Sequence, residues 1–329
     1  MIRNLFSSFL IAIILFTSCE NDTSTMLLPS ITGKAGEVLI VIDKSIWDGE
    51  VGEKVKTILL DEYPSLPIAE PLFDPINIPH QAFNNMFKTH RNVLMTKVGS
   101  QYENKIIVKN DVWGETQLII TLTAKNNDEL LKLLDENKES IVYTIEEKER
   151  ERIIKNYKQY QETSIVESLK KNQQISLYIP SGYTIDREAD DFVWIAHETP
   201  MISQGIFVYF YNYVDSNTFT QEYLVKKRDE FLKKYVPGPS DGSYMITGKI
   251  MQPTFKEFSL NEKYAVEMRG LWDVENDYYG GGPFISFTTL DEARQRVITV
   301  EGFVYAPQYS KRNYLRQVEA ILYTLRIVE

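Results

Sequence analysis

Cysteine is nearly absent: one residue in 329, Cys19. A lone thiol excludes an intramolecular disulfide framework, so core burial rather than covalent staples must carry the stability. Histidine is almost as scarce, at three residues, and neither H-E-x-x-H nor a paired C-x-x-C spacing offers a metal its ligands. G-x-G-x-x-G and Walker-type phosphate loops are missing too, so no cofactor and no metal is expected. Basic charge is short: 36 Lys and Arg against 46 Asp and Glu give a formal net charge of −10. That balance argues against a nucleic-acid partner, for which a basic face is the expected footprint. No repeat of fixed period and no long low-complexity tract is visible.

What is present begins at the amino terminus. Arg3 is followed by an apolar stretch from Phe9 to Phe16, then by the small residues Thr17 and Ser18, the three parts of a secretory signal. The stretch is too short to span a bilayer as a helix, which needs about 20 residues. Cys19 directly after small residues resembles the lipobox of bacterial lipoproteins. The resemblance implies cleavage before Cys19, diacylglycerol on its sulfur and an acylated new amino terminus. Several acyl chains on one residue make a stable anchor where one chain binds only marginally. Residues 1–18 are thus expected to be a signal peptide and 19–30 a lipidated tether, with the chain held at a membrane of the cell envelope.

Beyond the tether, "GEVLIVIDKS" reads as a buried strand ending at Asp43, and Val51, Val55, Ile58 and Leu59 form a helical stripe. Pro64, Pro67, Pro71, Pro75 and Pro79 exclude a helix, and the apolar residues among them predict a packed irregular arm. Strand-like runs follow at 92–98, 105–108 and 116–123. From Asn126 to Leu169 there is neither Pro nor Gly, which predicts one long helix or two in series. Later runs at 175–179, 192–197, 206–213, 243–250, 264–272, 284–288 and 296–305 read as strands. A helix over 219–235 carries a Thr218/Gln221 capping-box pair, and a last helix places Leu315, Val318, Leu322 and Leu325 on one face. The fold class is α+β: an N-terminal α/β domain over 31–171, and over 172–329 an antiparallel-sheet sandwich with helices. The element order of the second half looks like the fold of the extrinsic PsbP-type proteins, whose members mostly bind and assemble.

A closer resemblance attaches to specific words. "GKAGEVLIVIDKSIWDGEVGEKV" (33–55), "EPLFDPINIP" (70–79), "FKTHRNVL" (87–94) and "GLWDVENDYYGGGPF" (270–284) resemble signature stretches of an envelope lipoprotein family of Bacteroidota-type bacteria, a domain of unknown function. The resemblance implies the anchor and the envelope location. It implies no activity and no catalytic residues.

The search for chemistry returns partial matches. "GPSDG" at 238–242 has the string of a nucleophile elbow, but a helix precedes Ser240, a strand follows, and all three histidines come earlier in the chain. Asp273, Glu275 and Asp277 alternate like a calcium loop, yet Tyr278 stands where an EF-hand needs Gly and Phe284 where it needs Glu. The same stretch joins Trp272 to Tyr278, Tyr279, Gly280, Gly281 and Gly282, amphipathic rings beside a freely turning backbone. It reads either as a long hairpin connection or as a binding loop. His90 beside Arg91 suits an anionic ligand or a structural role. Asp43 ends a strand at the edge where open α/β sheets bind ligands. Phe207, Tyr209, Tyr211 and Tyr213 share one strand face, which predicts a surface packed under a helix.

The sequence therefore predicts an anchored, non-enzymatic binding or assembly factor. Its expected partner is another envelope protein or a cell-wall or glycan component, and its candidate contacts are Trp272, Asp273, Tyr278 to Gly282, His90 and Arg91. An envelope hydrolase using Asp273, Glu275 or Asp277 is the rival reading. A small-ligand carrier with a closed apolar pocket is the third.

Overall fold

The uninterrupted apolar run in "EVLIV" exists because both faces of its strand are covered, the usual condition of a parallel sheet. Val38, Ile40 and Ile42 turn to one core, Leu39 and Val41 to another. The computed structural model describes residues 27–328 apart from Tyr279, so Cys19 and its expected lipid lie outside the described residues. The first half runs β1 (Glu37–Val41), α1 (Lys44–Trp47), α2 (Glu50–Leu59), β2 (Asp74–Ile78), α3 (Asn85–Lys88), β3 (Asn92–Val98), β4 (Lys105–Asn110), β5 (Leu118–Ala124) and α4 (Asn127–Gln159). Its five strands lie in the order β2-β1-β3-β5-β4, parallel except for β4.

The proline-rich arm departs from expectation at its end, where residues 74–78 form a strand rather than an irregular path. Pro75 is tolerated because β2 is an edge strand. Asp74 N–H donates to Gly36 O and Ile78 O accepts from Ile42 N–H, so the residues between them, Pro75 included, alternate away from the ladder. The long Pro- and Gly-free stretch forms α4, capped by Asn126, whose side chain accepts from Glu129 N–H at 2.9 Å.

The second half runs α5 (Thr163–Ser168), β6 (Ile175–Ser176), β7 (Thr184–Ala189), β8 (Phe192–Glu198), β9 (Ser203–Asn212), α6 (Gln221–Tyr235), β10 (Tyr244–Thr247), β11 (Thr254–Leu260), β12 (Lys263–Glu275), β13 (Gly282–Asp291), β14 (Arg296–Tyr305), α7 (Arg312–Leu322) and β15 (Arg326–Ile327). The large sheet is antiparallel, in the order β10-β12-β13-β14-β9-β8-β7, with β11 beside the first part of β12. The class is α+β, as the sequence predicts.

Alternation along these strands divides two cores. Phe192, Phe207, Tyr209, Phe284 and Phe303 pack under α6, while Val193, Ile195, Ile206, Val208, Ile285 and Val300 face α7. Three local expectations are corrected. The capping box belongs to Asp215 and Thr218 in a short 3-10 turn, while Gln221 reaches Pro253 O at 2.7 Å. Of the strand expected at 175–179 only Ile175–Ser176 pairs, with β15, although Leu177 and Ile179 are fully buried. β7 and β11 arise where no strand was expected, because their exposed, charged residues hide the alternation.

Helices α2, α4 and α7 form a layer between the two sheets, and a single buried cluster runs from Val38 through α4 to Leu325. α7 has no side-chain cap of its own. Glu70, from the proline-rich arm, instead accepts from the backbone N–H groups of Lys311 and Arg312, the latter at 3.1 Å. Arg312 in turn pairs with Asp74 at 2.6 Å. The arm thus pins the last helix to the first sheet.

Candidate functional site

The glycine loop is shorter than the sequence suggests, because β12 continues past Trp272 to Glu275 and β13 starts at Gly282. The turn between them has left-handed residues at Asn276 (φ 62°) and Gly280 (φ 108°). A Cβ on Gly282 would lie 2.1 Å from Val304 O, so this glycine is required by the close passage of β14. These glycines therefore build a tight hairpin. Tyr278 at its tip is fully exposed, and Tyr279 lies outside the described residues.

Trp272 is not an exposed anchor. It is 5% exposed, its indole N–H donates to Val304 O at 3.2 Å, and its ring meets Phe303 edge-on. The acids of the loop do not converge. Asp273 accepts from Val274 N–H, Glu275 pairs with Lys249 at 3.0 Å, and the Ser240 hydroxyl donates to Asp277. Among the described residues no group of three or more His, Cys, Asp or Glu is placed to hold a metal. Ser240 sits in the turn between α6 and β10, the reverse of the strand-then-helix setting that a nucleophile elbow needs.

Beside the hairpin, at the end of the sheet beyond the last turn of α6, lies an open cleft of about 290 Å³. Trp272, Phe303, Tyr305, Trp194 and Met245 form its aromatic and thioether walls, and Pro200, Pro237 and Pro239 its rim. Met201, at the mouth, is 39% exposed. The Trp194 indole N–H is buried there with no hydrogen-bond partner among the described residues, while Glu198, Thr199 and Ser203 add polar groups to the lining. Trp272 thus belongs to the site as wall, with Gly280 and Gly282 fixing the hairpin that carries it.

His90 and Arg91 do not line this cleft, and Arg91 is not free to hold an anion. Arg91 donates to both oxygens of buried Glu149, at 2.9 and 2.6 Å. Glu149 also receives Arg152 at 2.7 Å and Asn92 at 2.6 Å. The guanidinium is therefore committed to clamping α4 onto β3, and the anion-binding expectation gives way to a structural one. Burial lowers Arg152 to about 10, although Glu149 opposes the shift. His90 is buried with Nδ1 at 3.2 Å from Asn92 O, and burial pushes its pKa down against the Asn92 carbonyl and Glu37. Asp43, at the end of β1, accepts from His80 N–H at 3.2 Å and lies as close to the His80 ring. The aromatic stripe of β9 is packed as the sequence predicts, with Tyr209 stacked on Phe231 of α6 at 4.8 Å.

The sequence did not reveal the charges inside this core. Arg228 lies on the apolar stripe of α6 with Leu224, Phe231, Leu232 and Tyr235, a spacing that marks it as buried once the stripe is drawn. Its partner Glu301 sits within "VITVEGFVY", and there the signal is a lone acid in a strand with no solvent face.

The fold and the cleft define an α+β protein with an aromatic recess on its larger sheet. Residues 162–324 match a family model described as Domain of unknown function (DUF4837), and residues 31–158 match one described as Domain of unknown function (DUF8532). No curated protein matches the chain. Among solved structures, the Ran-binding protein Mog1p of Saccharomyces cerevisiae is 8% identical with a TM-score of 0.31, over 47% of this chain and 91% of that one. A single-substitution mutant of protein Mog1 is 10% identical with a TM-score of 0.29, over 47% and 92%.

Proposed function

We propose that the chain is a non-enzymatic binding protein of the bacterial cell envelope, anchored through lipid on Cys19, which takes a side chain of another envelope protein into the aromatic cleft. The observation that carries this reading is the cleft itself: Trp194, Trp272, Phe303 and Tyr305 around an open recess of about 290 Å³. Aromatic residues and methionine are the types enriched where proteins meet, and a buried apolar anchor is the usual energetic centre of such a contact. The volume suits one or two apolar side chains and stands at the lower end of the range usual for small-ligand pockets, about 300–1,000 Å³. The three loop carboxylates each have a separate partner, which lends the hydrolase reading no support.

The test is crosslinking of full-length, acylated protein in its native envelope, followed by affinity purification and mass spectrometry. A Met201→Asp variant places a charge at the mouth of the cleft without touching the core. One dominant protein, lost in that variant, is the expected result. A partner retained by Met201→Asp would remove the cleft from the proposal, and no partner above background would remove the binding role. In parallel, Cys19→Ser should abolish incorporation of labelled palmitate and release the protein from the membrane fraction.

A further inference from the structure

A second cleft, of about 230 Å³, opens where the two halves meet, between the proline-rich arm, α4, α7 and β11–β12. Its chemistry is the opposite of the first. Three carboxylates line it and all are already engaged. Glu319 accepts from Arg269 at 2.7 Å and from the Tyr63 hydroxyl at 3.0 Å. Glu267 accepts from the same guanidinium at 2.6 and 3.2 Å, and Glu146 from Arg316 at 3.3 Å.

The cations are not matched in the same way. Among the described residues Arg150 makes no hydrogen bond or ion pair, although three carboxylates share its cleft; its guanidinium stacks 3.8 Å over the Tyr323 ring. Stacking fixes the plane and leaves the N–H edge free, the geometry in which arginine reads carboxylate or phosphate. Lys256 also has no partner among the described residues: Glu267, directly across the ladder, is taken by Arg269. One nitrogen of Arg316, Nη1, is buried with no hydrogen-bond partner among the described residues. Burial pushes the Tyr63 and Tyr323 phenols upward, so both remain proton donors. Burial, opposed by Arg316 and helped by the charge of Glu319, also pushes Glu146 up. In a chain of net charge −10, this recess holds a surplus of donors and positive charge.

We infer that the cleft between the halves binds a small oxyanion, a phosphate or carboxylate group, held by the free edge of Arg150 with Lys256 and the Tyr323 hydroxyl. The residues involved are separate from the aromatic cleft, and the site stands whether or not that cleft takes a partner. Because α4 supplies Arg150 and β11 supplies Lys256, a bound anion bridges the two halves and stabilises the folded chain by mass action.

Titration calorimetry and thermal unfolding with inorganic phosphate and, separately, with citrate, at matched ionic strength, test the inference on the full chain. Saturable binding with a rise in Tm is expected for one or both probes. Phosphate alone would identify a phosphate site, citrate alone a carboxylate site, and both a general oxyanion site. Arg150→Gln should weaken binding about tenfold or more, as expected for loss of a charge-assisted hydrogen bond. Lys256→Gln, at an exposed position where folding is not at stake, should weaken it less, and Lys109→Gln on β4 should leave it unchanged. Absence of saturation for both probes, or equal binding by wild type, Arg150→Gln and Lys256→Gln, would overturn the inference.

Discussion

Arg228 and Glu301 form a two-pronged ion pair, at 2.9 and 2.7 Å, in which neither side chain reaches solvent. Arg228 also donates to Thr247 at 2.9 Å and lies 3.7 Å over the Phe284 ring, so one guanidinium ties α6 to three strands. Removing one partner of such a pair strands the other charge. Arg228→Met should therefore cost about 3–5 kcal/mol in urea unfolding. Burial already pushes Glu301 up, against the pull of Arg228. In the variant the stranded carboxyl will take up a proton on folding, so the loss should be smaller at pH 5 than at pH 8. A double variant, Arg228→Met with Glu301→Leu, should recover most of it.

His90 gives the fold a second pH dependence, of the other sign. Burial holds its folded pKa below the ordinary 6.5, so only the unfolded chain takes up the proton near that pH. Its contribution is complete above 6.5 and is lost as pH falls from there toward the folded value. His90→Gln should flatten the stability profile on the acid side of pH 6.5, measured by denaturant midpoints. An unchanged slope would locate the dependence elsewhere.

The hairpin beside the aromatic cleft separates structure from contact at neighbouring positions. Gly282→Ala forces a Cβ against Val304 O and should destabilise by about 2 kcal/mol or more. Tyr278→Ala, at a fully exposed position, should change stability by less than about 0.5 kcal/mol. Thermal unfolding of the two variants checks both. If Tyr278→Ala nevertheless weakens partner capture, the tip of the hairpin joins the interface.

Elements whose apolar residues are buried in a core were legible in the sequence. The apolar stripe of α2, the uninterrupted run of β1 and the strand-like run that became β14 each matched what they became. β7 and β11 were not legible, because edge strands carry charges such as Asp186, Arg187 and Glu257 that guard an unpaired edge and erase the pattern. The site was read in part. Trp272 and the glycine loop lie together as expected, but the ring faces inward, since local composition does not show that Phe303 and Val304 lie across from it. Arg269 and Glu319 were invisible for a simpler reason: they are paired with each other and with Tyr63, across 50 and 256 residues, and such a triad leaves no spacing. The physical content of the word "EPLFDP" is the cap that Glu70 gives α7 and the pair that Asp74 makes with Arg312.

That borrowed cap has a consequence for how the chain can be divided. Two family models match on either side of residues 159–161, which invites the view of two modules on a string. Yet α7 depends on a carboxylate from the first segment, and α4 and α7 bury one apolar cluster from both sides. Either segment expressed alone would present that surface to water and aggregate. Expressed together as separate polypeptides cut between 159 and 162, they should find each other and restore the native assembly, behaving as the two subunits of an obligate heterodimer that happen to share a peptide bond.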